Sequence, residues 1–136
     1  MSLLRLALVC ALALGCSTRP SVLGDVRRGV PAAELIIRLT AAAGRTPAAV
    51  ERVEISTRGV GRSRGTQGHV EWAIARQSGA PAMRLPAEIR YGTVPPGFGS
   101  NGPAPVLANG HYELRVMAGG VWSVTRFNVS DINVVE

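Results

Sequence analysis

Lysine is absent from the chain, and its absence excludes several kinds of catalytic site. All fifteen basic residues are arginine, against nine acidic residues in 136. Without lysine there can be no phosphate-binding loop of the GxxxxGK[ST] type, no Schiff-base enzyme and no Ser/Lys dyad. The formal charge of +6 favours anionic partners and membrane surfaces in general, without specifying a partner.

Aromatic residues are also scarce, at 4% of the chain, so we expect a core of Val, Ile, Leu and Ala. Hydrophobic residues make up 46% and charged residues 18%, a composition typical of a globular protein. The length leaves room for one domain.

The N-terminal apolar run is too short to cross a bilayer. It extends over nine residues, from Leu6 to Leu14, and follows Arg5. Nine helical residues span about 14 Å, whereas the hydrocarbon core of a membrane is roughly 30 Å thick. The run is therefore predicted to be the apolar part of a secretion signal.

The end of this run, Leu12-Ala13-Leu14-Gly15-Cys16, resembles the lipobox of bacterial lipoproteins. The resemblance implies that residues 1–15 are a signal peptide and that Cys16 becomes the lipidated N-terminus, which anchors the protein in a membrane. Ser17 in place of an aspartate favours the outer membrane, facing the periplasm or the cell surface. The alternative is an ordinary signal peptide with an incidental cysteine.

The two cysteines are both accounted for by this interpretation. Cys10 leaves with the signal and Cys16 is acylated, so no thiol remains for a disulfide, a nucleophile or a metal site. His69 and His111 are the only histidines, and neither is spaced as a metal ligand with the other. We expect no metal and no cofactor. Export to the envelope also argues against a nucleic-acid partner.

The segment after the cysteine is predicted to be a flexible tether. Residues 17–33 are rich in Ser, Arg, Gly and Pro and show no sustained period, as linkers do. We therefore divide the chain into a signal peptide (1–15), a lipidated N-terminus with tether (16–33) and a folded domain (34–136).

The folded domain is predicted to be all-β. Apolar and polar side chains alternate in segments separated by Gly- or Pro-rich connections, which indicates strands with one buried face. We predict a single antiparallel, Greek-key-like β-sandwich of six or seven strands. The segments lie near residues 35–39, 53–57, 70–75, 88–91, 112–117, 121–129 and 132–135.

One of these segments is expected to be irregular. Its inward positions change from Trp122 and Val124 to Phe127 and Val129, which predicts a β-bulge.

The sequence Leu107-Ala108-Asn109-Gly110-His111-Tyr112-Glu113-Leu114-Arg115-Val116 resembles the tyrosine corner of immunoglobulin-like and fibronectin type III sandwiches. The resemblance implies that Leu107 packs beneath a turn and that the Tyr112 phenol bonds to upstream backbone. Prealbumin-like sandwiches often show a similar turn, so both topologies stay open.

The densest basic segment offers a candidate anion site. Arg58, Arg62 and Arg64 alternate with glycines between two predicted strands, where guanidinium groups and backbone amides can approach a phosphate or an acidic polysaccharide.

We find no catalytic grouping, since the chain has no GxSxG elbow and its strand glutamates are predicted to face solvent. The leading hypothesis is a non-enzymatic binding or scaffolding module for an envelope protein or an anionic envelope polymer. One alternative is a small envelope hydrolase that uses surface carboxylates or histidines. The other is a small-ligand carrier, which needs an apolar cavity of several hundred Å³.

Overall fold

The computed structural model describes residues 19–58 and 67–136. In this part of the chain nine strands form two antiparallel sheets, which confirms the predicted all-β sandwich. The strands are β1 (Val22–Val26), β2 (Ile36–Ala41), β3 (Val50–Arg58), β4 (Gln67–Arg76), β5 (Ala87–Arg90), β6 (Phe98–Ser100), β7 (Gly110–Ala118), β8 (Val121–Ser130) and β9 (Asn133–Val135). One 3-10 turn, Ala32–Glu34, precedes β2.

The two sheets differ in width. The smaller has the strand order β1-β2-β5, and the larger has the order β6-β4-β3-β7-β8-β9. Each of the seven predicted segments overlaps a strand, with Leu35, Tyr91 and Ile132 just outside, while β1 and β6 were not predicted. The core lies between the sheets, where alternate apolar side chains of both meet.

Large side chains fill the centre of the core. Trp72 and Phe127 are both buried, although aromatic residues are few. The Trp72 ring contacts Tyr91 edge-on, with 5.2 Å between centroids, and Phe127 stacks on Tyr112 at 5.6 Å. Aliphatic side chains surround these pairs, as the composition led us to expect.

The prediction of a flexible tether over residues 16–33 is wrong from residue 22 onward. Residues 22–26 form β1, and Val22 and Val26 are buried in the core. The alternation of this strand is hidden in the sequence because its middle inward position is Gly24. A glycine is needed there, since a Cβ would lie 2.8 Å from Cγ2 of Val116. The signal peptide and Cys16 lie outside the described residues.

The predicted β-bulge in β8 is also wrong. This strand pairs with β7 without interruption from Val121 to Val129. Ser123 and Thr125 are the residues that face inward, and the Thr125 hydroxyl donates a 2.6 Å hydrogen bond to the carbonyl of Gly24 in the other sheet. The Thr125 hydroxyl thus has its hydrogen-bond partner in the opposite sheet. A polar residue at this position therefore did not indicate a position exposed to solvent.

One side of the sandwich is closed by backbone hydrogen bonds between the sheets' flanking segments. The Gly29 N–H donates to the Val134 carbonyl and the Val134 N–H donates to the Val30 carbonyl, both at 2.8 Å. Edge strand β9 therefore has partners on both sides. An edge that is covered in this way is protected from pairing with another chain.

Two tyrosines hold the connection between β6 and β7. The Tyr112 hydroxyl donates to the Ala108 carbonyl at 2.6 Å, above the buried Leu107, which is the geometry that the tyrosine-corner resemblance implies. The Tyr91 hydroxyl donates to the Pro105 carbonyl at 2.7 Å. Burial raises the pKa of Tyr91 to about 12 and raises that of Tyr112.

None of residues 19–58 and 67–136 belongs to a helix with the length and apolarity to span a membrane.

Candidate functional site

The outward side of the larger sheet carries a concentrated set of charged side chains. Because Val53, Ile55 and Leu114 face the core, the residues that alternate with them face away from it. We call this surface the charged face. It consists of Arg52, Glu54, Ser56, Arg58, Glu113, Arg115, Trp122, Val124 and Arg126.

Strand pairing sets opposite charges beside each other on the charged face. Glu54 is paired with Arg115 on the neighbouring strand, and Glu113 with Arg126 on the next. The Arg126 Nε lies 3.7 Å from Oε1 of Glu113, and the Arg52 Nε donates to Oε1 of Glu54. Arg52 and Glu54 lie on the same strand, whereas a cross-strand pair such as Glu113–Arg126 stabilises a sheet by a few tenths of a kcal/mol, up to about 1 kcal/mol.

Glu54 differs from the sequence prediction of a solvated carboxylate. Its side chain faces away from the core, yet the residue is only 4% exposed. A buried carboxylate is stable only when it is paired, and Arg52 supplies a partner. Removing Arg52 would take a partner from a buried charge, while Arg52 itself is 38% exposed, so we assign this pair to the fold and not to ligand binding.

Three polar atoms on the charged face are buried and make no hydrogen bond in the described part of the chain. They are Oγ of Ser56, Nε of Arg58 and Nε of Arg115. Ser56 is fully buried, with 0% exposure. Buried polar groups are nearly always hydrogen-bonded, so the two guanidinium groups among these three make this face our candidate site for a polar ligand.

An apolar strip borders these polar atoms. The Arg115 guanidinium lies over the Trp122 ring, 5.1 Å from its centroid, and Val124 is 47% exposed. The indole offers a flat surface beside the guanidinium. This arrangement suits a ligand that carries anionic groups on an extended, partly apolar framework.

The predicted anion site is only partly described. Arg58 lies at the end of β3, on the charged face, and Arg62 and Arg64 lie outside the described residues. Sequence analysis did not identify Arg115 or Arg126 as part of a site. Their positions alternate regularly in β7 and β8, which indicated an ordinary solvated strand face.

Comparisons with protein-family models, curated proteins and solved structures found no match to this chain. Inference about function therefore depends on the residues of the chain itself.

The histidines considered for hydrolysis are both exposed. The His111 Nδ1 lies 2.6 Å from Oδ1 of Asn128, and the backbone N–H of His69 donates to the Thr57 hydroxyl. Glu88 lies on the other sheet and pairs with Arg38 at 3.1 Å. Over the described ranges, no three His, Cys, Asp or Glu residues are grouped as metal ligands would be.

Sequence analysis also missed an apolar groove of about 400 Å³. Two segments form its walls with Ala48, Met83 and Leu85: 40–49, which is the end of β2 and the connection after it, and 82–86. These three side chains are partly buried and pack against the core. The groove could not be predicted because neither segment has a hydrophobic period, and they meet only in the folded chain.

Proposed function

We propose that the chain is a lipid-anchored lipoprotein of the bacterial cell envelope, and that its sandwich is a non-enzymatic binding module. Its ligand is an anionic envelope polymer, bound at the charged face. The lipobox sequence that ends at Cys16 supports the anchor. The observation that carries the binding proposal is that the Nε atoms of Arg58 and Arg115 are buried and have no hydrogen-bond partner among residues 19–58 and 67–136.

The balance of charge supports an anionic ligand. The charged face has four arginines, Arg52, Arg58, Arg115 and Arg126, against two glutamates, Glu54 and Glu113. Arg52 is paired with Glu54, and Glu113 lies 4.0 Å from Arg115 and 3.7 Å from Arg126, so four arginines against two glutamates leave an excess of two positive charges on this face. Guanidinium groups bind carboxylate and phosphate in a two-pronged geometry, so the excess cations favour phosphorylated or acidic polymers.

Binding to O-deacylated lipopolysaccharide tests the ligand. Its phosphates are retained, and removing the ester-linked acyl chains reduces apolar binding elsewhere. We expect Arg115→Gln to weaken binding roughly 10- to 100-fold, because a hydrogen bond to a charged group contributes about 1.5–3 kcal/mol. O-deacylated lipopolysaccharide from which the phosphates have been removed should bind to the protein without substitutions more weakly than the phosphorylated form does.

Arg84→Gln is the matched control. It removes the same charge from an exposed side chain that is not part of the charged face, and it should change binding less than about twofold. Equal loss in both variants would mean that only net charge matters. Retention of binding by Arg115→Gln would contradict the proposed site.

The anchor has an independent test. The exported protein should begin at Cys16 and carry the mass of its acyl groups, and a Cys16→Ser form exported behind an ordinary signal should be released from membranes. A product that starts elsewhere would contradict the lipoprotein assignment.

A small-ligand carrier is the second candidate, favoured by one observation. The groove of about 400 Å³ is within the size range of small-molecule sites, which is about 300–1,000 Å³.

A further inference from the structure

The apolar groove lies at the end of the sandwich where the chain enters the domain. Ala41, in its wall, is paired with Val22 at the start of β1. The Ala48 backbone N–H, also in the wall, donates to the Ser21 hydroxyl at 3.0 Å. The Ala42 N–H donates to the Ser21 carbonyl at 2.9 Å. Residue 21 is thus fixed directly to the segment that forms the groove.

The chain is held there up to the first described residue. The Arg45 Nη1 donates to the Arg19 carbonyl at 2.6 Å, and Arg45 belongs to the same 40–49 segment. Only residues 17 and 18 separate Arg19 from Cys16. Three extended residues span about 10 Å, so the chain length between Arg19 and Cys16 is short compared with an acyl chain and its linker.

We infer that the groove receives one acyl chain of the lipid on Cys16. The inference rests on the proposed lipid anchor and adds a place for part of that lipid on the protein. Met83 and Leu85, with Pro47 and Pro86, line an open and mainly apolar surface, which suits a hydrocarbon chain.

The short connection favours this occupant over a free ligand. A group tethered by a few residues is present at an effective concentration of the order of millimolar, far above that of a free fatty acid in water. An acyl chain seated in the groove holds this end of the sandwich against the membrane. The other end, with the β8–β9 turn at Ile132, then points away from it.

A fluorescent fatty acid with sixteen carbons is the probe. Two forms are compared: the acylated protein, and a Cys16→Ser form exported behind an ordinary cleavable signal. We expect the Cys16→Ser form to bind one equivalent, and the acylated form to bind at least about tenfold more weakly because its groove is filled.

Groove variants in the Cys16→Ser background locate the binding. Met83→Arg should abolish binding of the fatty acid, whereas Met83→Leu, which conserves volume and apolarity, should retain it. Thermal unfolding of both variants verifies that each is folded. If Met83→Arg does not fold, Ala82→Glu at the exposed rim of the groove takes its place, with the same expected loss.

Each other result overturns the inference in a recognisable way. Equal binding by both forms means that the groove is open in the acylated protein, and favours the carrier. No binding by the Cys16→Ser form means that the groove does not take acyl chains. An intact mass that lacks acyl groups would contradict the proposed lipid anchor. This mass is measured separately from fatty-acid binding, so the two failures can be distinguished.

Discussion

The guanidinium group of Arg115 lies over the indole ring of Trp122, with 5.1 Å between Cζ and the ring centroid. The two residues are diagonal neighbours on adjacent strands, since Trp122 is paired with Met117 and Arg115 with Val124. Diagonal neighbours are within reach of long side chains. The contact orients the arginine across the charged face and keeps the indole at its border.

A double-mutant cycle should detect this contact. We expect Arg115→Met and Trp122→Leu to be coupled by about 0.5–1 kcal/mol in the free energy of unfolding, the usual range for a partly exposed cation–π pair. Urea unfolding of the four proteins gives the coupling. A cycle between Trp122→Leu and Arg38→Met, which lies on the other sheet, serves as control. Its coupling free energy should be near zero.

The close approach of the sheets at Gly24 predicts a strong effect of a single methyl group. In Gly24→Ala the new Cβ would lie 2.8 Å from Cγ2 of Val116 and 3.0 Å from Cδ2 of Leu114, both of which are buried. Overpacking of this kind costs about 1–3 kcal/mol. Gly99→Ala is the control, because its Cβ would make only an ordinary contact of 3.7 Å. Equal melting temperatures for the two variants would contradict the packing argument.

The β8–β9 turn contains strain that a substitution should relieve. Asp131 and Ile132 both have positive φ, 50° and 61°, and Ile132 is 69% exposed. A left-handed conformation costs an ordinary residue roughly 1–2 kcal/mol, and a β-branched residue is particularly unsuited to it. Ile132→Gly should therefore raise stability by about 1 kcal/mol. Ile132→Val keeps the branch and should not.

Alkaline pH should destabilise the fold through its tyrosines. Burial raises the pKa of Tyr91 to about 12, and the negative charge of Glu71 adds to the effect. In the unfolded chain the Tyr91 hydroxyl loses its proton near pH 10. The contribution of the protonated Tyr91 to stability is therefore complete below pH 10 and is lost as the pH rises toward 12. No lysine titrates in this interval. The urea concentration at the midpoint of unfolding should fall as the pH rises from 10 to 12. The absorbance of tyrosinate should increase only when the protein unfolds.

Tyr91→Phe provides the comparison for this pH dependence. The variant lacks the hydroxyl that bonds to the Pro105 carbonyl, so it should be less stable near neutral pH and lose less stability above pH 10. A tyrosinate signal that develops fully near pH 10 in the folded protein would contradict the prediction.

The fold was largely predictable because the strand segments alternate strictly. The two missed strands lack that signal. In β1 the middle inward position is Gly24, and β6 has only three residues, Phe98–Ser100. The error in β8 has a similar cause, since Thr125 faces the core but is polar. Its hydroxyl is satisfied by Gly24 across the sandwich, a partner 101 residues away.

The candidate sites were less predictable than the fold. Arg58 was identified from its local sequence, but Arg115 and Trp122 form part of the same face through strand pairing. The groove requires Met83 to meet Ala48, two residues without a shared periodic pattern. Local patterns identify which side of a strand is apolar, while clusters built from separate segments depend on the tertiary structure.

The hydrogen bond between Thr125 and Gly24 joins the first strand, β1, to β8, so β1 cannot complete its native contacts before β8 is present. Strand β1 is synthesised first, but it packs on β7 and β8, and residues 29–32 need β9 to complete their hydrogen bonds. Strand β1 thus stays without its native neighbours until β7, β8 and β9 have been synthesised. This topology slows folding, because contacts between residues far apart in the sequence form slowly. For the exported lipoprotein proposed above, this delay would keep the chain unfolded during its export.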